Sequence, residues 1–145
     1  MNYLTATVMS SNLISISEDR DIETAQGLMI VNKIRHLPVV NANNELSGII
    51  STKDVAAAPD RRKPIKSIMT TPVRIVKKGA NVKSVIEIML KHKIFSVLVA
   101  NEEDVVGIVT TDDLLKLLSQ VLEDSERLEN IDVSTFFEDS WSSQI

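Results

Sequence analysis

The sequence contains no cysteine, and this absence excludes a whole group of sites. Disulfide bonds, thiolate metal centres and cysteine nucleophiles cannot form without it. Aromatic residues make up only 3% of the 145 residues, so a hydrophobic core has to be built from Ile, Val, Leu, Met and Ala. A cysteine-free chain of mixed charge suits a reducing compartment, and we expect a cytoplasmic protein.

The sequence also lacks long apolar runs and a recognisable leader. No apolar run approaches the roughly 20 residues that a helix needs to span a bilayer, so we expect no membrane association. The first residues, MNYLT, have neither the basic start nor the apolar stretch of a signal peptide.

Negative charge is concentrated at the C-terminal end. The net charge is −4, but residues 119–145 contain seven acidic residues and a single basic one, Arg127. A weakly basic body followed by an acidic tail does not fit a nucleic-acid-binding protein on charge alone. Three aromatic residues interrupt the tail, Phe136, Phe137 and Trp141. We expect them to dock on the body of the chain, on a second copy or on another protein.

A seven-residue string occurs twice in the chain. Residues 48–54 read GIISTKD and residues 107–113 read GIVTTDD, so each string has a glycine, two β-branched apolar residues, a hydroxyl residue and a final aspartate. Further upstream, residues 8–10 (VMS) align with residues 68–70 (IMT). Two copies are fewer than a solenoid needs, so the sequence predicts two similar units packed face to face.

The repeat divides the chain into four parts. We predict a first repeat over residues 1–58, a linker over 59–64, a second repeat over 65–122 and an acidic tail over 123–145. The linker has two prolines around three consecutive basic residues, RRK. It is interpreted either as a solvated connector or as a basic lip beside an anion site.

Each repeat is predicted to fold in the order β-α-β-β-α, which is an α/β (α+β) architecture. Asp21 and Asn81 precede apolar residues at helical spacing and are typical helix N-caps. Gly27 lies inside the first helix, where glycine costs about 1 kcal/mol relative to alanine, and close packing would explain it. The predicted strands span 13–16, 36–40, 46–51, 73–76, 96–100 and 105–110, and the closing helices span 52–57 and 111–122 or beyond. The predicted buried helix stripes comprise Ile22, Ala25, Met29, Val82, Val85, Ile86 and Met89.

Ser51 with Asp54, and Thr110 with Asp113, are the best candidates for a functional site. A carboxylate can accept two hydrogen bonds from a vicinal diol such as ribose, and the hydroxyl can bond the same sugar or its phosphate. The N–H groups at the start of the following helix favour an anion there. The alternative is that each pair only forms a capping box, which has the pattern [ST]-x-x-[DE]. The recurrence of the whole string at matching positions favours a ligand site.

Together, these motifs resemble a tandem pair of CBS domains, the regulatory modules first described in cystathionine β-synthase. The resemblance covers about residues 5–120 and rests on residues 8–10, 68–70 and 36–40 (HLPVV) with the two strings. It implies two units related by pseudo-two-fold symmetry, with two clefts that often bind adenosine nucleotides or related ligands. It also implies a homodimer.

The resemblance assigns residues to each cleft by motif position. In the first cleft, the implied contacts are Ser51 and Asp54 to the sugar, Leu13, Ile14, Leu37 and Pro38 to the base, and Arg35, His36 and Lys53 to phosphate. In the second cleft, they are Thr110 and Asp113 to the sugar, with Thr71, Pro72, Val73 and Val97 around the base.

The second copy departs from the family pattern at two positions. Leu98 stands where the family commonly has proline, and Asp112 stands where Lys53 stands in the first copy. A carboxylate repels a nearby phosphate. We therefore expect the first cleft to favour phosphorylated ligands, and the second to favour an uncharged adenosine group or to receive help from cations of the linker.

The sequence shows no pattern that would predict catalysis. Neither His36 nor His92 has a second histidine or a carboxylate at metal-ligand spacing, so we expect no metal site. There is also no nucleophile–base pair and no phosphate-binding glycine loop. We expect a regulatory module without a catalytic cofactor, which senses AMP, ADP, ATP or another adenosine derivative and signals to an effector protein. The alternative is a ligand-free dimerisation or interaction scaffold that keeps the fold.

Overall fold

The structure is a computed structural model that describes residues 3–129. It consists of two units, which divide between Thr110 and Thr111. The elements of the first unit are α1 (Thr5–Val8), β1 (Ile16–Ser17), α2 (Ile22–Asn32), β2 (His36–Val40), β3 (Leu46–Ser51), α3 (Thr52–Ala57), a 3-10 turn (Ile65–Ser67), β4 (Ile75–Lys77), α4 (Val82–His92), β5 (Ser96–Asn101) and β6 (Asp104–Thr110). In the second unit, the described residues form α5 (Thr111–Glu129).

The described strands form two sheets of three strands, β1-β2-β3 and β4-β5-β6. In each sheet the first strand runs parallel to the middle strand, and the middle strand runs antiparallel to the last. The registers match, because Pro38 pairs with Ile49 in one sheet and Leu98 pairs with Ile108 in the other. The predicted mixed α/β (α+β) architecture is confirmed, with two similar sheets in the first unit.

The hairpin strands and the short helix after them lie where the sequence predicted them. The leading strands do not, because β1 and β4 are shorter and begin later than residues 13 and 73. In the first copy, the position of Ser10 explains why β1 begins late. Its N–H and C=O are both hydrogen-bonded to Ile108 in the other sheet, so residues 11–15 are needed to cross back before the chain can pair with β2.

The two long helices of the first unit begin at the predicted caps. The Asp21 carboxylate accepts a hydrogen bond of 2.8 Å from the Thr24 N–H, and the Asn81 side chain accepts one of 2.8 Å from the Lys83 N–H. The hydrogen bonds from Thr24 hold the pKa of Asp21 below its ordinary value. The Asp21 cap is therefore strongest when the carboxylate is ionised.

The core residues occupy corresponding places in the two copies, and most of the predicted helix stripes are buried. Gly27 is an exception to the packing interpretation, because no atom outside its chain neighbours and its own helix backbone lies within 4 Å of a Cβ built there in the described chain. The first cluster consists of Ile16, Ile22, Ala25, Met29, Leu37, Val39, Ile50, Val55 and Ile65. The buried residues of the second copy are Val82, Val85, Met89, Val97, Leu98, Val99, Ile108 and Val109, while Ile86 is half-buried.

The segment that precedes each repeat's first strand packs on the other repeat. We call residues 3–10 and 63–70 the lead segments. Thr70 of one lead segment exchanges two hydrogen bonds of 2.8 and 3.1 Å with Ile49 in the first sheet. Ser10 of the other lead segment exchanges two of 2.8 and 3.0 Å with Ile108 in the second sheet. Each sheet is therefore completed by a segment from the other copy.

The same exchange is repeated at the start of each long helix. The Ile65 N–H donates to the Arg20 carbonyl at 2.8 Å, and the Thr5 N–H donates to the Ala80 carbonyl at 2.9 Å. Ile65 and Thr5 are both fully buried. Each lead segment is thus fixed at two places on its host repeat.

Along the described chain, no helix is both long and apolar enough to cross a membrane. The expected docking of Phe136, Phe137 and Trp141 concerns residues outside the described part of the chain.

Candidate functional site

The first string forms a local network where β3 ends and α3 begins. The Ser51 N–H and the Ser51 hydroxyl both donate to Oδ2 of Asp54 at 2.9 Å. The Asp54 N–H donates back to the Ser51 Oγ at 3.2 Å. Ser51 and Asp54 therefore form a complete capping box. The capping box, which was the alternative interpretation of this pair, is therefore present in the fold.

The capping box uses only one oxygen of the carboxylate. Both hydrogen bonds that Asp54 accepts go to Oδ2, and none from residues 3–129 goes to Oδ1. Ser51 and Asp54 are both half-buried. The box fixes the orientation of the carboxylate, so that Oδ1 can accept a hydrogen bond from a second molecule.

Arg35 and His36 lie at the same end of the first sheet. His36 pairs with Ser51 across the β2–β3 ladder, and the Arg35 carbonyl accepts a 3.0 Å hydrogen bond from the Thr52 N–H. His36 is half-buried and Arg35 is exposed. The structure thus brings two of the three expected phosphate-binding residues beside the hydroxyl of the string.

The residues expected around a base differ in how exposed their side chains are. Leu13 and Ile14 are half-buried and lead into β1, which runs beside β2. Pro38 is buried, and Leu37 is fully buried in the first core cluster. Leu37 can therefore contact a ligand only through its backbone.

Lys53 is exposed and lies against an aromatic ring of the other repeat. Its Nζ is 5.8 Å from the ring centroid of Phe95, which precedes β5. Cation–π contacts fall within about 6 Å. Phe95 is not among the residues predicted from the sequence. It aligns with Arg35 at an offset of 60, so the two repeats differ in charge at this place.

The second string begins in the first unit and ends in the second. Thr110 ends β6 and pairs with Ser96, and Val97 pairs with Val109. Val97 is 1% exposed, so its side chain belongs to the core. Asp113 lies in the first turn of α5 beside Asp112.

The residues expected to surround a base in the second copy lie just before β4. Thr71 and Pro72 are exposed and Val73 is half-buried. The next residue, Arg74, accepts a 3.0 Å hydrogen bond from the Leu98 N–H through its carbonyl. This segment therefore runs beside β5. In the first copy, the segment with Leu13 and Ile14 correspondingly leads into the strand that runs beside β2.

The glycine that opens each string has a packing role. A Cβ at Gly48 would lie 2.7 Å from Sδ of Met69, and a Cβ at Gly107 would be closer still to Sδ of Met9. Both methionines belong to lead segments and pack against these glycines. Part of each repeated string thus serves the exchange between repeats and is unrelated to a ligand.

The basic linker lies along the start of α2. The Lys63 carbonyl accepts a 3.0 Å hydrogen bond from the Ile22 N–H, and the Arg61 side chain donates to Gln26 at 3.3 Å. Arg62 pairs with Asp60 at 3.1 Å and holds the pKa of that carboxyl below its ordinary value. The contacts of Lys63 and Arg61 tie the linker to the first repeat, and the expected help of its cations to the second cleft stays a prediction.

The described residues contain no group of three His, Asp or Glu side chains that could hold a metal ion. His92 ends α4, with its Nδ1 3.4 Å from a guanidinium nitrogen of Arg74.

Comparison with known proteins identifies both repeats. The family model for the CBS domain matches residues 6–61 and residues 65–120. The chain is similar to inosine-5′-monophosphate dehydrogenase of Methanocaldococcus jannaschii, with 31% identity over 75% of this chain and 22% of that protein. It is also similar to homoserine O-acetyltransferase of Methanocorpusculum labreanum, with 34% identity over 80% of this chain and 24% of that protein. The chain therefore spans about a quarter or less of these curated relatives.

A solved structure shows the same fold at similar identity. It is a CBS domain pair in complex with 5′-methylthioadenosine and S-adenosyl-L-methionine. The TM-score is 0.77 and the identity is 32%, and the match covers 83% of this chain and 98% of that chain.

Proposed function

The chain belongs to the CBS-domain family, and from this premise we propose that it is a regulatory module that binds an adenosine-containing ligand. Binding takes place at the end of the first sheet, where β3 passes into α3. The module acts in the cytoplasm, has no catalytic role of its own, and passes its signal to an effector protein as a homodimer.

The carboxylate of Asp54 is the observation that carries this proposal. Its Oδ2 is fixed by Ser51, which leaves Oδ1 to accept a hydrogen bond from a ribose hydroxyl. A similar CBS domain pair of 32% identity binds two adenosine compounds. A carboxylate held in one orientation loses little freedom on binding, and this favours recognition of a sugar.

The charges near the first string favour a phosphorylated ligand. Arg35 and His36 lie at the same end of the sheet as Ser51, and Lys53 follows two residues later. A phosphate there would gain charge-assisted hydrogen bonds. In the second string, Asp112 occupies the place of Lys53, so we propose that the second repeat takes an adenosine group without phosphate.

One observation favours the alternative of a ligand-free scaffold. The capping box accounts for Ser51 and Asp54 without any ligand, because it already satisfies the start of α3. A chain that had lost its ligand could keep both residues for helix stability alone.

Calorimetry and thermal shift distinguish the two functions. We expect at least one of AMP, ADP, ATP, 5′-methylthioadenosine and S-adenosyl-L-methionine to bind the wild-type protein and raise its melting temperature. Asp54→Ala should then weaken the binding of a phosphorylated ligand by roughly tenfold or more, since it removes a charge-assisted hydrogen bond.

Asp21→Ala is the matched control for this experiment. It removes a helix cap from the same repeat but lies outside the string, so it should lower stability without changing affinity. If no adenosine compound binds, the scaffold function stands and the sensor proposal is wrong. Equal loss of affinity in both variants would show that Asp54 acts only through stability.

A further inference from the structure

Phe95 is a large apolar residue at the surface of the second repeat, and it is 54% exposed. The backbone on both sides of it is held in place. The Ile94 N–H donates to the Met89 carbonyl at 3.0 Å, and Ser96 pairs with Thr110 where β5 begins. The ring is therefore attached at a fixed point of the backbone but lies outside the core.

The ring of Phe95 lies close to a cation of the first string. The Lys53 Nζ is 5.8 Å from the ring centroid, within the range of about 6 Å for cation–π attraction. Lys53 belongs to the first CBS repeat and Phe95 to the second, and both lie in the first unit of the structure. The second repeat therefore contributes a side chain to the surroundings of the first string.

A ring leaves the Lys53 ammonium available to an anion, whereas a carboxylate partner would compete with the anion. Lys66, for comparison, pairs with the Asp19 carboxylate at 2.9 Å. Among residues 3–129, the structure shows no carboxylate paired with Lys53. The ammonium has three N–H donors, and a neutral ring does not cancel its charge. Lys53 can therefore keep its contact with Phe95 while it donates to an anion.

The contact with Phe95 also restricts a side chain that is otherwise flexible. A lysine that binds a phosphate loses conformational entropy, and this loss is smaller where the ammonium is already held in the free protein. Arg35 occupies the corresponding place in the first repeat, and an arginine in place of Phe95 would repel Lys53. The aromatic residue type therefore matters for where the ammonium lies.

We propose that Phe95 determines the ligand specificity of the first string by positioning the Lys53 ammonium for a phosphate group. The inference deepens the proposed function and rests on it, since it requires a phosphorylated adenosine ligand beside Ser51 and Asp54. Phe95 does not contact the ligand and acts through Lys53. The second repeat thus helps to select the ligand of the first.

The position of Lys53 can be tested without any ligand. In the free wild-type protein, the aromatic ring should shift the NMR signals of the Lys53 methylene protons upfield, and Phe95→Leu should remove this shift. Leu90→Ala changes another exposed apolar residue of the second repeat and should leave these signals unchanged. Identical Lys53 signals in wild type and Phe95→Leu would overturn the inference, whatever the protein binds.

Calorimetry with AMP, ADP and ATP measures the consequence for binding. Phe95→Leu should weaken the binding of the phosphorylated ligand by about two- to fivefold, the effect of one cation–π contact at an exposed site. Phe95→Tyr keeps an aromatic ring and should retain the wild-type affinity. When Lys53 is already replaced in Lys53→Met, adding Phe95→Leu should cause no further loss, because no ammonium remains to be positioned.

The outcomes separate this inference from the proposed function. A loss from Phe95→Leu that persists when it is combined with Lys53→Met would show that Phe95 contacts the ligand itself, which contradicts the positioning role. Unchanged nucleotide affinity in Phe95→Leu would remove Phe95 from ligand selection while the proposed function stands. If none of the three nucleotides binds the wild-type protein, the phosphate preference of the first string is wrong, and this inference is wrong with it.

Discussion

The two repeats share a backbone more closely than they share side chains. The contacts of their lead segments correspond at an offset of 60, so that Ile65 bonds Arg20 as Thr5 bonds Ala80. The side chains at corresponding places differ in charge and size, as with Lys53 and Asp112. Contacts that fix the fold are thus retained in both copies, while exposed side chains have diverged.

The two repeats differ at exposed places. Around the strings, Arg35 corresponds to Phe95, and the outer helix surfaces differ at Gly27 and Glu87. None of these changes disturbs the register of the sheets, which is the same in both copies. One backbone arrangement can therefore carry side chains of different charge and size at corresponding places of the two repeats.

The largest effect is expected from truncating the buried residue of each lead segment. Ile65→Ala should cost roughly 2–5 kcal/mol of unfolding free energy, because a fully buried isoleucine leaves a cavity. Thr5→Ala should cost less, about 1–2 kcal/mol, for the hydrogen bond from its hydroxyl to Ala80. Urea denaturation measures both values.

Hydrogen exchange shows which repeat each substitution destabilises first. We expect Ile65→Ala to reduce amide protection first in β2 and β3, although Ile65 belongs to the second repeat in sequence. Thr5→Ala should act first on β5 and β6. Loss of protection in a residue's own repeat would contradict the exchange of lead segments.

A smaller and more equal effect is expected at the two packing glycines. Gly48→Val and Gly107→Val should each cost about 1–3 kcal/mol, since the new side chain meets Met69 or Met9. Adding Met69→Ala to Gly48→Val should recover part of the loss in urea denaturation. Unequal losses at the two glycines would show that the lead segments pack differently.

The smallest effect is expected at the two helix caps, whose contributions to stability should respond differently to acid. The pKa of Asp21 is lowered in the fold by its bonds from Thr24, so its contribution is complete above about pH 4, the ordinary range for aspartate. It is lost as the pH falls through the lower folded value. Asn81 does not titrate. The stability difference between wild type and Asp21→Asn should therefore shrink on acidification, whereas that for Asn81→Ala should not follow this titration.

Local patterns predicted the elements well where each element is fixed by its own residues. Asp21 and Asn81 mark real helix starts, and the hairpin strands follow from continuous apolar residues between turns. The string with Ser51 and Asp54 also predicted a real network. Its two interpretations could not be separated, because a capping box and a sugar-binding carboxylate use the same residues at the same spacing.

Contacts between distant segments could not be predicted in this way. The repeated motifs do not indicate that Thr70 pairs with Ile49 or Ser10 with Ile108, since these residues look like ordinary strand or loop residues. The error in the first strands has the same origin, because it depends on where Ser10 is held. Phe95 was missed because a single exposed aromatic has no spacing pattern of its own.

The exchanged lead segments separate the unit of duplication from the unit of folding. A single repeat would have a sheet that lacks its lead segment and a lead segment without its sheet. Two separate copies of such a repeat could complete each other, with each one supplying the missing piece. Joining them in tandem would convert an association between molecules into a contact within one chain, independent of concentration. The descendants could then change one copy's surface without changing the other, as Arg35 and Phe95 differ at corresponding places.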